Sequence, residues 1–304
     1  MISKLLIEQH FHGAYGIDFN KATVNEVLDL ANNIKKEGIG GIFPTLVTDT
    51  VENTKKQIAV IKEASQKQKE GAKILGLHLE GIFLNKEKKG IHNPAHFLEP
   101  TVENFKKIAD DFIKIITIAP ELCRAYIRGE NLITFLNKKG IKVQAGHCMG
   151  GDLTGCDGVT HMFNAMSGVN HKGKSTALSA LINDNIYTEV IGDGIHVNDD
   201  AMKLLIKTKP ADKILLISDA LPCTHSNISS FIFADEKVYF DGERATSAQG
   251  TLAGSTKLLP EIIKILGKKG MFNPQFIDNP YKYHKIDLNG KLEWDEDFNI
   301  VSIS

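Results

Sequence analysis

The sequence predicts an α/β fold, a closed barrel of eight parallel strands each followed by a helix, from three observations. First, 304 residues with 42% hydrophobic content suffice to bury one large core. Second, short apolar runs bounded by glycine or proline alternate with longer segments of helical period, as in repeated strand and helix units. Third, eight such apolar runs can be counted, the number of strands in a (β/α)₈ barrel.

The predicted elements follow these runs in order. The eight strands cover residues 4–8, 40–43, 74–79, 113–118, 141–145, 158–161, 186–190 and 214–218. Between them, apolar spacing predicts helices over residues 24–37, 51–68, 102–111, 122–138 and 199–207, with a final helix over 255–269. Residues 229–246 have the pattern of an inserted hairpin that turns at Asp241-Gly242.

One connection and the tail depart from this repeat. Residues 148–157 are rich in glycine and too short for an ordinary crossover helix, so we expect none between the fifth and sixth strands. The tail is strand-prone and rich in Asp and Asn, which predicts either a few strands packed outside the barrel or a partly ordered extension. We therefore expect a barrel over residues 1–273 and a C-terminal extension over residues 274–304.

Composition excludes several classes of partner. The formal net charge is −1, so no overall field attracts the protein to nucleic acid or to an acidic membrane. The N-terminus reaches Glu8 before a signal-peptide core is complete, and no apolar run has membrane-spanning length, which together predict a cytoplasmic protein. The four cysteines, Cys123, Cys148, Cys156 and Cys223, lack Cys-x-x-Cys spacing, which predicts reduced thiols.

Histidines and one acid stand at the ends of predicted strands, where barrels of this type keep their catalytic groups. His10 and His12 follow the first strand at i, i+2 spacing, so both imidazoles point to the same face. Glu80 ends the third strand, where a buried carboxylate needs a cation, a metal or several donors. His147 and His161 end the fifth and sixth strands. Since zinc and iron favour such imidazole and carboxylate ligands, these residues predict a metal site.

The two remaining candidates follow the last strands. Asp219 ends the eighth strand, where its carboxylate can accept a proton from metal-activated water and return it to a leaving amine. This arrangement predicts a metal-dependent hydrolase. After the seventh strand, Gly192 and Gly194 allow a tight loop that aims His196 at a substrate, with an ordinary surface histidine as the alternative.

Ten short motifs together resemble the N-acetylglucosamine-6-phosphate deacetylases, a family of metal-dependent amidohydrolases. They occur in the family's order, from about residue 5 to residue 260. The motifs are EQHFHG (8–13), GIFPT (41–45), GLHLEG (76–81), HNP (92–94), APE (119–121), GH (146–147), THMFNAM (160–166), DGIH (193–196), SDA (218–220) and GTLAGS (250–255).

The resemblance implies a TIM-type barrel of the amidohydrolase kind that removes the N-acetyl group of N-acetylglucosamine 6-phosphate, giving glucosamine 6-phosphate and acetate. It implies one or two divalent ions per subunit, zinc first and iron, manganese or cobalt as alternatives, and a homodimer. It also implies site roles. The main ion binds Glu80, His147 and His161, a second ion binds His10 and His12, Asp219 is the acid and base, and His92, His196, Asn164 and Ala165 contact the substrate.

Two departures from the family leave the substrate open. Lys172 stands where the family usually has an arginine that grips the phosphate, and a lysine binds phosphate as a point charge without the bidentate fork. The family also usually has about fifty residues before the first histidine pair, so we expect only a remnant of its small accessory β-sandwich. The alternatives are an amidohydrolase for another N-acyl sugar or N-acyl amino acid, and a non-catalytic barrel that binds a sugar phosphate.

Overall fold

The computed structural model of the protein describes residues 1–123 and 130–304. The strands are β1 (Ile2–Lys4), β2 (Leu6–Phe11), β3 (Gly13–Ala14), β4 (Ile17–Asp18), β5 (Ile39–Val47), β6 (Lys73–Ile74), β7 (Leu77–Glu80), β8 (Ile113–Ile118), β9 (Lys142–Ala145), β10 (Gly158–Val159), β11 (Tyr187–Ile191), β12 (Ile214–Ile217), β13 (Ser230–Phe233), β14 (Glu236–Phe240), β15 (Ala245–Ser247), β16 (Leu252–Gly254), β17 (Lys291–Trp294) and β18 (Ile300–Ile303).

The helices lie between the strands of the barrel and after them. They are α1 (Val24–Lys36), α2 (Val51–Lys67), α3 (Val102–Lys106), α4 (Leu132–Lys138), α5 (Thr176–Ile182), α6 (Asp199–Thr208), α7 (Leu259–Lys268) and α8 (Gln275–His284). Within the described ranges, no helix combines the length and the apolar content that crossing a membrane requires.

Eight parallel strands form the barrel, in the order β2-β5-β7-β8-β9-β10-β11-β12, with the short β6 paired beside β5. This confirms the predicted fold. The first and last strands meet through a few bonds only. The backbone N–H of Asp219 donates to His10 O at 2.9 Å, and the N–H of Ser218 donates to the Glu8 carboxylate at 3.1 Å. The buried Glu8 carboxylate thus accepts one of the hydrogen bonds that close the barrel between β12 and β2, where a backbone carbonyl would otherwise do so.

The first barrel strand begins later than its predicted range of 4–8. Leu6 to Phe11 are fully buried in β2, whereas Ile2 and Lys4 are exposed and belong to β1 of another sheet. The strand therefore carries His10 within it, and His12 directly after it. The other predicted barrel strands match the structure within a few residues.

Helices α1, α2 and α6 end within one residue of their predicted bounds. In α1, the Thr23 side chain and the Glu26 side chain satisfy each other's backbone N–H in a capping box. The predicted helices over 102–111, 122–138 and 255–269 are shorter in the structure. Residues 124–129 of the second lie outside the described residues. Helix α7 starts late because Ser255 still pairs with Ala220 in a β-bridge.

The connection between β9 and β10 contains no helix, as its glycines and length predicted. Helix α5, between β10 and β11, was not predicted. After β12, the predicted hairpin is larger than expected, since β13 to β16 form a four-stranded antiparallel sheet. Its first turn lies at Ala234 and Asp235, both in the left-handed region with φ of 50° and 66°, as a two-residue hairpin turn of type I′ requires.

The tail forms two structures. Strand β17 pairs with β1 on one side and with β18 on the other, in a three-stranded antiparallel sheet outside the barrel that joins the two ends of the chain. Helix α8 packs against the other end of the barrel from the site, where Tyr281 donates to Leu5 O at 2.7 Å and Asn279 donates to Ile214 O at 2.7 Å. The strands match one predicted option, and α8 was not predicted. The division at residue 273 remains a prediction.

Candidate metal centre

Glu80 lies at the centre of the polar cluster in the barrel mouth. It ends β7, and its side chain is 3% exposed. Its Oε1 lies 2.9 Å from His161 Nε2 and 3.3 Å from His147 Nε2. Its Oε2 lies 3.1 Å from His12 Nε2 and 3.5 Å from His10 Nε2. His92 Nε2 also lies 3.6 Å from Oε2. One carboxylate therefore contacts five imidazoles, two with Oε1 and three with Oε2.

The first ligand group consists of Glu80, His147 and His161. Both histidines follow their strands in the left-handed backbone region, with φ of 47° for His147 and 31° for His161, a conformation that costs about 1–3 kcal/mol in a non-glycine residue and concentrates at functional sites. His147 Nδ1 donates to Lys88 O at 2.7 Å, which leaves Nε2 for the cluster. The two Nε2 atoms lie 3.1 Å apart.

The second ligand group consists of His10, His12 and Asp219. The Asp219 carboxylate oxygen Oδ1 lies 3.2 Å from His12 Nε2 and 3.5 Å from His10 Nε2. His12 Nδ1 lies 3.3 Å from Thr45 O, and His10 Nδ1 lies 3.2 Å from the Glu189 carboxylate. In both histidines the Nδ1 side is thus occupied, and Nε2 faces the carboxylates.

These groups fit divalent ions. The atoms of each group lie within 4.8 Å of one another, and the 2.9–3.3 Å separations around Glu80 Oε1 are close to the roughly 3.3 Å between ligands of a tetrahedral ion with bonds of about 2.0–2.1 Å. His10 Nε2 is buried, and no described residue hydrogen-bonds to it. Such an atom is costly unless it binds something.

A third group, His10, His78 and Glu189, also lies close together but is not a metal site. Both ring nitrogens of His78 are already bonded, Nδ1 to Gln9 O at 3.1 Å and Nε2 to Thr117 Oγ1 at 2.8 Å. Because an imidazole ligates a metal through a free nitrogen lone pair, His78 is a satisfied core histidine.

The cluster's carboxylates favour the charged form. Burial by itself raises the pKa of Glu80, but His10, His12 and His147 outweigh burial and hold that pKa well below its usual range. The same balance acts at Asp219, where burial is outweighed by His12 and His10 and the pKa falls below its ordinary value. The same pairing raises the pKa of His12 to about 9 and that of His10 above its ordinary value. Because an imidazole must lose its proton to ligate a metal, binding of a cation here would release protons from these histidines.

A cavity of about 290 Å³ opens above the two groups, near the lower end of the roughly 300–1,000 Å³ typical of small-molecule sites. His92, His196, Asn164 and Ala165, which the resemblance assigns to the substrate, all line it. Their roles in binding remain a prediction. Larger surface grooves exist, such as one of about 770 Å³ beside residues 151–156 and 182–186, but none of the three ligand groups lies in them.

The two predicted substrate histidines are held in place by neighbours. His92 Nδ1 bonds to Thr48 Oγ1 at 2.8 Å, and His196 Nδ1 bonds to Asp193 Oδ2 at 2.8 Å. Burial, with a contribution from His147, lowers the pKa of His92 to about 4. His92 is therefore neutral at pH 7 and can donate or accept a hydrogen bond.

Lys172 lies on an exposed stretch of residues 171–174 and does not line the cavity. Among the described residues, Lys88 is the one lysine or arginine that does. Lys88 was missed because it stands in a run of charged residues, Lys86 to Lys89, that has the pattern of a solvated loop. The signal that could have found it is its place shortly after the GLHLEG strand end.

The four-stranded sheet of β13–β16 forms one wall of the cavity. Phe233, 1% exposed, contacts the His12 ring at 5.2 Å between centroids, and packs with Val47, Ile91 and Ala253 in one apolar cluster. This wall was not predicted, because the hairpin's sequence gives no indication of which part of the barrel it covers. It shields the second ligand group from water.

Comparison with known proteins places this site in a family. No family model matches the chain. The N-acetylglucosamine-6-phosphate deacetylase of Bacillus subtilis is 31% identical over 82% of this chain and 65% of its own length. That of Haemophilus influenzae is 30% identical over 85% of this chain and 69% of its own. The N-acetylgalactosamine-6-phosphate deacetylase of Escherichia coli O157:H7 is 28% identical over 82% and 68%.

The chain spans about two thirds of the length of these curated relatives. The crystal structure of the Pasteurella multocida N-acetylglucosamine-6-phosphate deacetylase superposes on all of this chain and 84% of its own, with a TM-score of 0.88 and 25% sequence identity. The sequence match, the shared fold and the motifs at the barrel mouth agree. The chain belongs to the N-acetylglucosamine-6-phosphate deacetylase family.

Proposed function

We propose that the protein hydrolyses the N-acetyl group of an amino-sugar 6-phosphate, with N-acetylglucosamine 6-phosphate as the first candidate, to the free amine and acetate. The observation that carries this proposal is one carboxylate, Glu80, contacted by the four imidazoles of the two ligand groups, with Asp219 beside it in the same cavity. Relatives named for this activity support the choice of substrate class.

We assign a first divalent ion to Glu80, His147 and His161, and a second to His10, His12 and Asp219, with Glu80 shared. Zinc is our first choice, and iron, manganese and cobalt suit the same nitrogen and oxygen ligands. When bound, such an ion supplies Lewis-acid catalysis, polarising the amide carbonyl and making a water molecule more acidic.

The chain's own residues then handle the protons. Asp219 is ionised, so it can take the proton of the attacking water at Oδ1 or Oδ2 and pass it to the amine nitrogen as the C–N bond breaks. His196, whose Nδ1 is held by Asp193, presents its other ring nitrogen to the negative charge that develops on the carbonyl oxygen.

For the phosphate, two lysines are candidates. We favour Lys88 as the contact, since it lines the cavity, over Lys172, which lies outside the cavity lining. Lys88→Met should raise KM for the phosphorylated sugar by roughly 10–150-fold, since a charge-assisted hydrogen bond contributes roughly 1.5–3 kcal/mol. Lys172→Met is the matched control, and we expect it to leave KM unchanged. A reversed result would restore the assignment of Lys172.

The first test is metal analysis followed by acetate release from three sugars: N-acetylglucosamine 6-phosphate, its unphosphorylated form and N-acetylgalactosamine 6-phosphate. The third is included because one relative carries that name. Metal binding with turnover of a phosphorylated sugar supports the proposal. Metal binding without turnover of any of them points to another N-acyl compound, and absence of metal and turnover points to a barrel that only binds.

We also propose a homodimer in the cytoplasm, which the family resemblance supports. Light scattering should then give a mass about twice the 33.5 kDa of one chain.

A further inference from the structure

The barrel interior beneath the metal centre holds a connected set of polar side chains, where barrels of this type usually stack apolar layers. Glu189 of β11 and Gln9 and His10 of β2 are each 0% exposed. A buried carboxylate costs several kcal/mol unless its oxygens are satisfied. The arrangement of its partners therefore indicates its role.

Each oxygen of Glu189 has one donor. Oε2 accepts from His10 Nδ1 at 3.2 Å, and Oε1 accepts from Gln9 Nε2. The amide of Gln9 is fixed in turn, because its Oε1 accepts from His284 Nε2 at 3.0 Å. His284 is the last residue of α8, so the bonds run from the tail helix to a residue of the second ligand group.

Local strand geometry makes this possible. Adjacent residues of a regular strand point to opposite faces, so Gln9 and His10 could not both reach Glu189. The pairing of β2 with β5 shifts register between Glu8 and Phe11, and this irregularity brings both side chains to the same carboxylate.

The consequence lies in the His10 ring. Donation from Nδ1 to Glu189 fixes the tautomer in which Nε2 carries the free lone pair. Within residues 1–123 and 130–304 that Nε2 has no hydrogen-bond partner, and it lies 3.5 Å from both Glu80 Oε2 and Asp219 Oδ1. In His12 and His147 the corresponding Nδ1 faces a backbone carbonyl. His10 alone among the described ligands is backed by a carboxylate.

We propose that Glu189 is a positioning residue for the second ion, acting through His10, and that α8 holds Glu189 in place through His284 and Gln9. This inference rests on the proposed two-ion site. A carboxylate behind a ligating imidazole fixes its orientation and raises its basicity, and removing such a partner typically weakens metal binding by about 10–100-fold.

The test is titration of the metal-free full-length chain with Co²⁺, followed by visible absorption and by metal analysis. Wild type should bind two ions, and His12→Ala identifies which binding phase belongs to the second group. Glu189→Gln, which keeps the size of the side chain, should weaken that phase about 10–100-fold and leave the other unchanged. His284→Phe, far from the site, should weaken the same phase by a smaller factor.

Glu8→Gln is the matched control. Glu8 is as buried as Glu189 and lies on β2, the strand of His10, but its carboxylate accepts from the backbone N–H groups of His10 and Ser218, not from an imidazole. General loosening of the barrel would affect Glu8→Gln as much as Glu189→Gln. If Glu189→Gln does not fold, His284→Phe carries the test alone.

The outcomes separate the inference from the function it rests on. Unchanged affinity of the second phase in Glu189→Gln, or equal weakening in Glu8→Gln, overturns the inference while the metal site stands. If wild type binds a single ion and Glu189→Gln leaves the affinity for that ion unchanged, the inference is likewise overturned while the metal site stands. A wild type that binds no ion overturns the proposed function itself.

Discussion

The two ligand groups share Glu80 and use the same imidazole and carboxylate chemistry, yet the fold supports them differently. His147 and His161 follow strands β9 and β10, on either side of the connection that has no helix, and both adopt left-handed backbone conformations. His10 lies in the register-shifted strand β2 at the closure of the barrel, and side chains from β11 and α8 stand behind it. Asp219 of the second group is left-handed too, with φ of 55°. The two groups therefore share the backbone conformation, and the second differs by the side-chain network behind His10.

The largest effect is expected from removing what the groups share. Glu80→Gln replaces a carboxylate that contacts the four imidazoles of the two ligand groups, so both ions should be lost and turnover should fall at least about 10³-fold. Metal content and acetate release measure both effects. Retention of both ions with normal turnover would show that Glu80 is not a common ligand.

The next prediction separates catalysis from binding in the second group. Asp219→Asn should retain the ion of the first group and lower kcat by about 10²–10⁴-fold, the usual contribution of a general acid and base. The control is metal content measured on the same samples. Turnover near that of wild type would remove Asp219 from the mechanism.

A third pair of variants contrasts the groups directly. His147→Ala should release the first ion and lower turnover, while His12→Ala should release the second ion and leave the first bound. Counting ions per chain by metal analysis distinguishes them, because each imidazole serves one group. Loss of both ions in either variant would mean that the two groups form one cooperative site.

The smallest effect concerns the helix behind the second group. Burial, with a lesser effect of Lys142, lowers the pKa of His284 to about 3, whereas histidine in an unfolded chain titrates near 6.5. As the pH falls below about 6.5, the unfolded chain binds a proton that the folded chain does not, so the free energy of unfolding decreases.

His284→Gln keeps a donor for Gln9 and removes this titration. Urea unfolding at pH 6.5, 5.5 and 4.5 should show wild type losing up to about 1.4 kcal/mol per pH unit more than His284→Gln. If the free energies of unfolding of wild type and His284→Gln fall in parallel with pH, His284 takes up its proton in the folded protein as readily as in the unfolded chain.

Much of the fold could be predicted because its signals are local. Apolar runs of four to six residues marked the barrel strands, and polar residues at their ends marked Glu80, His147, His161 and Asp219. The register-shifted β2 and the late start of the first strand could not be predicted, since both depend on which strand pairs with which. The two lysines could not be ranked from the sequence either. Whether Lys172 or Lys88 reaches the cavity depends on the conformation of its loop, which is set by the rest of the structure.

The sequence by itself determined the barrel, the polar residues at its mouth and the missing helix after β9, since periodicity, strand-end position and loop length are properties of short segments. Only the tertiary structure decided α8 and the Glu189 network. Pro280 and the Asn-rich composition of the tail argue against a helix locally. The bonds from Asn279 and Tyr281 to the barrel, and the donors that Gln9 and His10 offer to Glu189, come from distant parts of the chain.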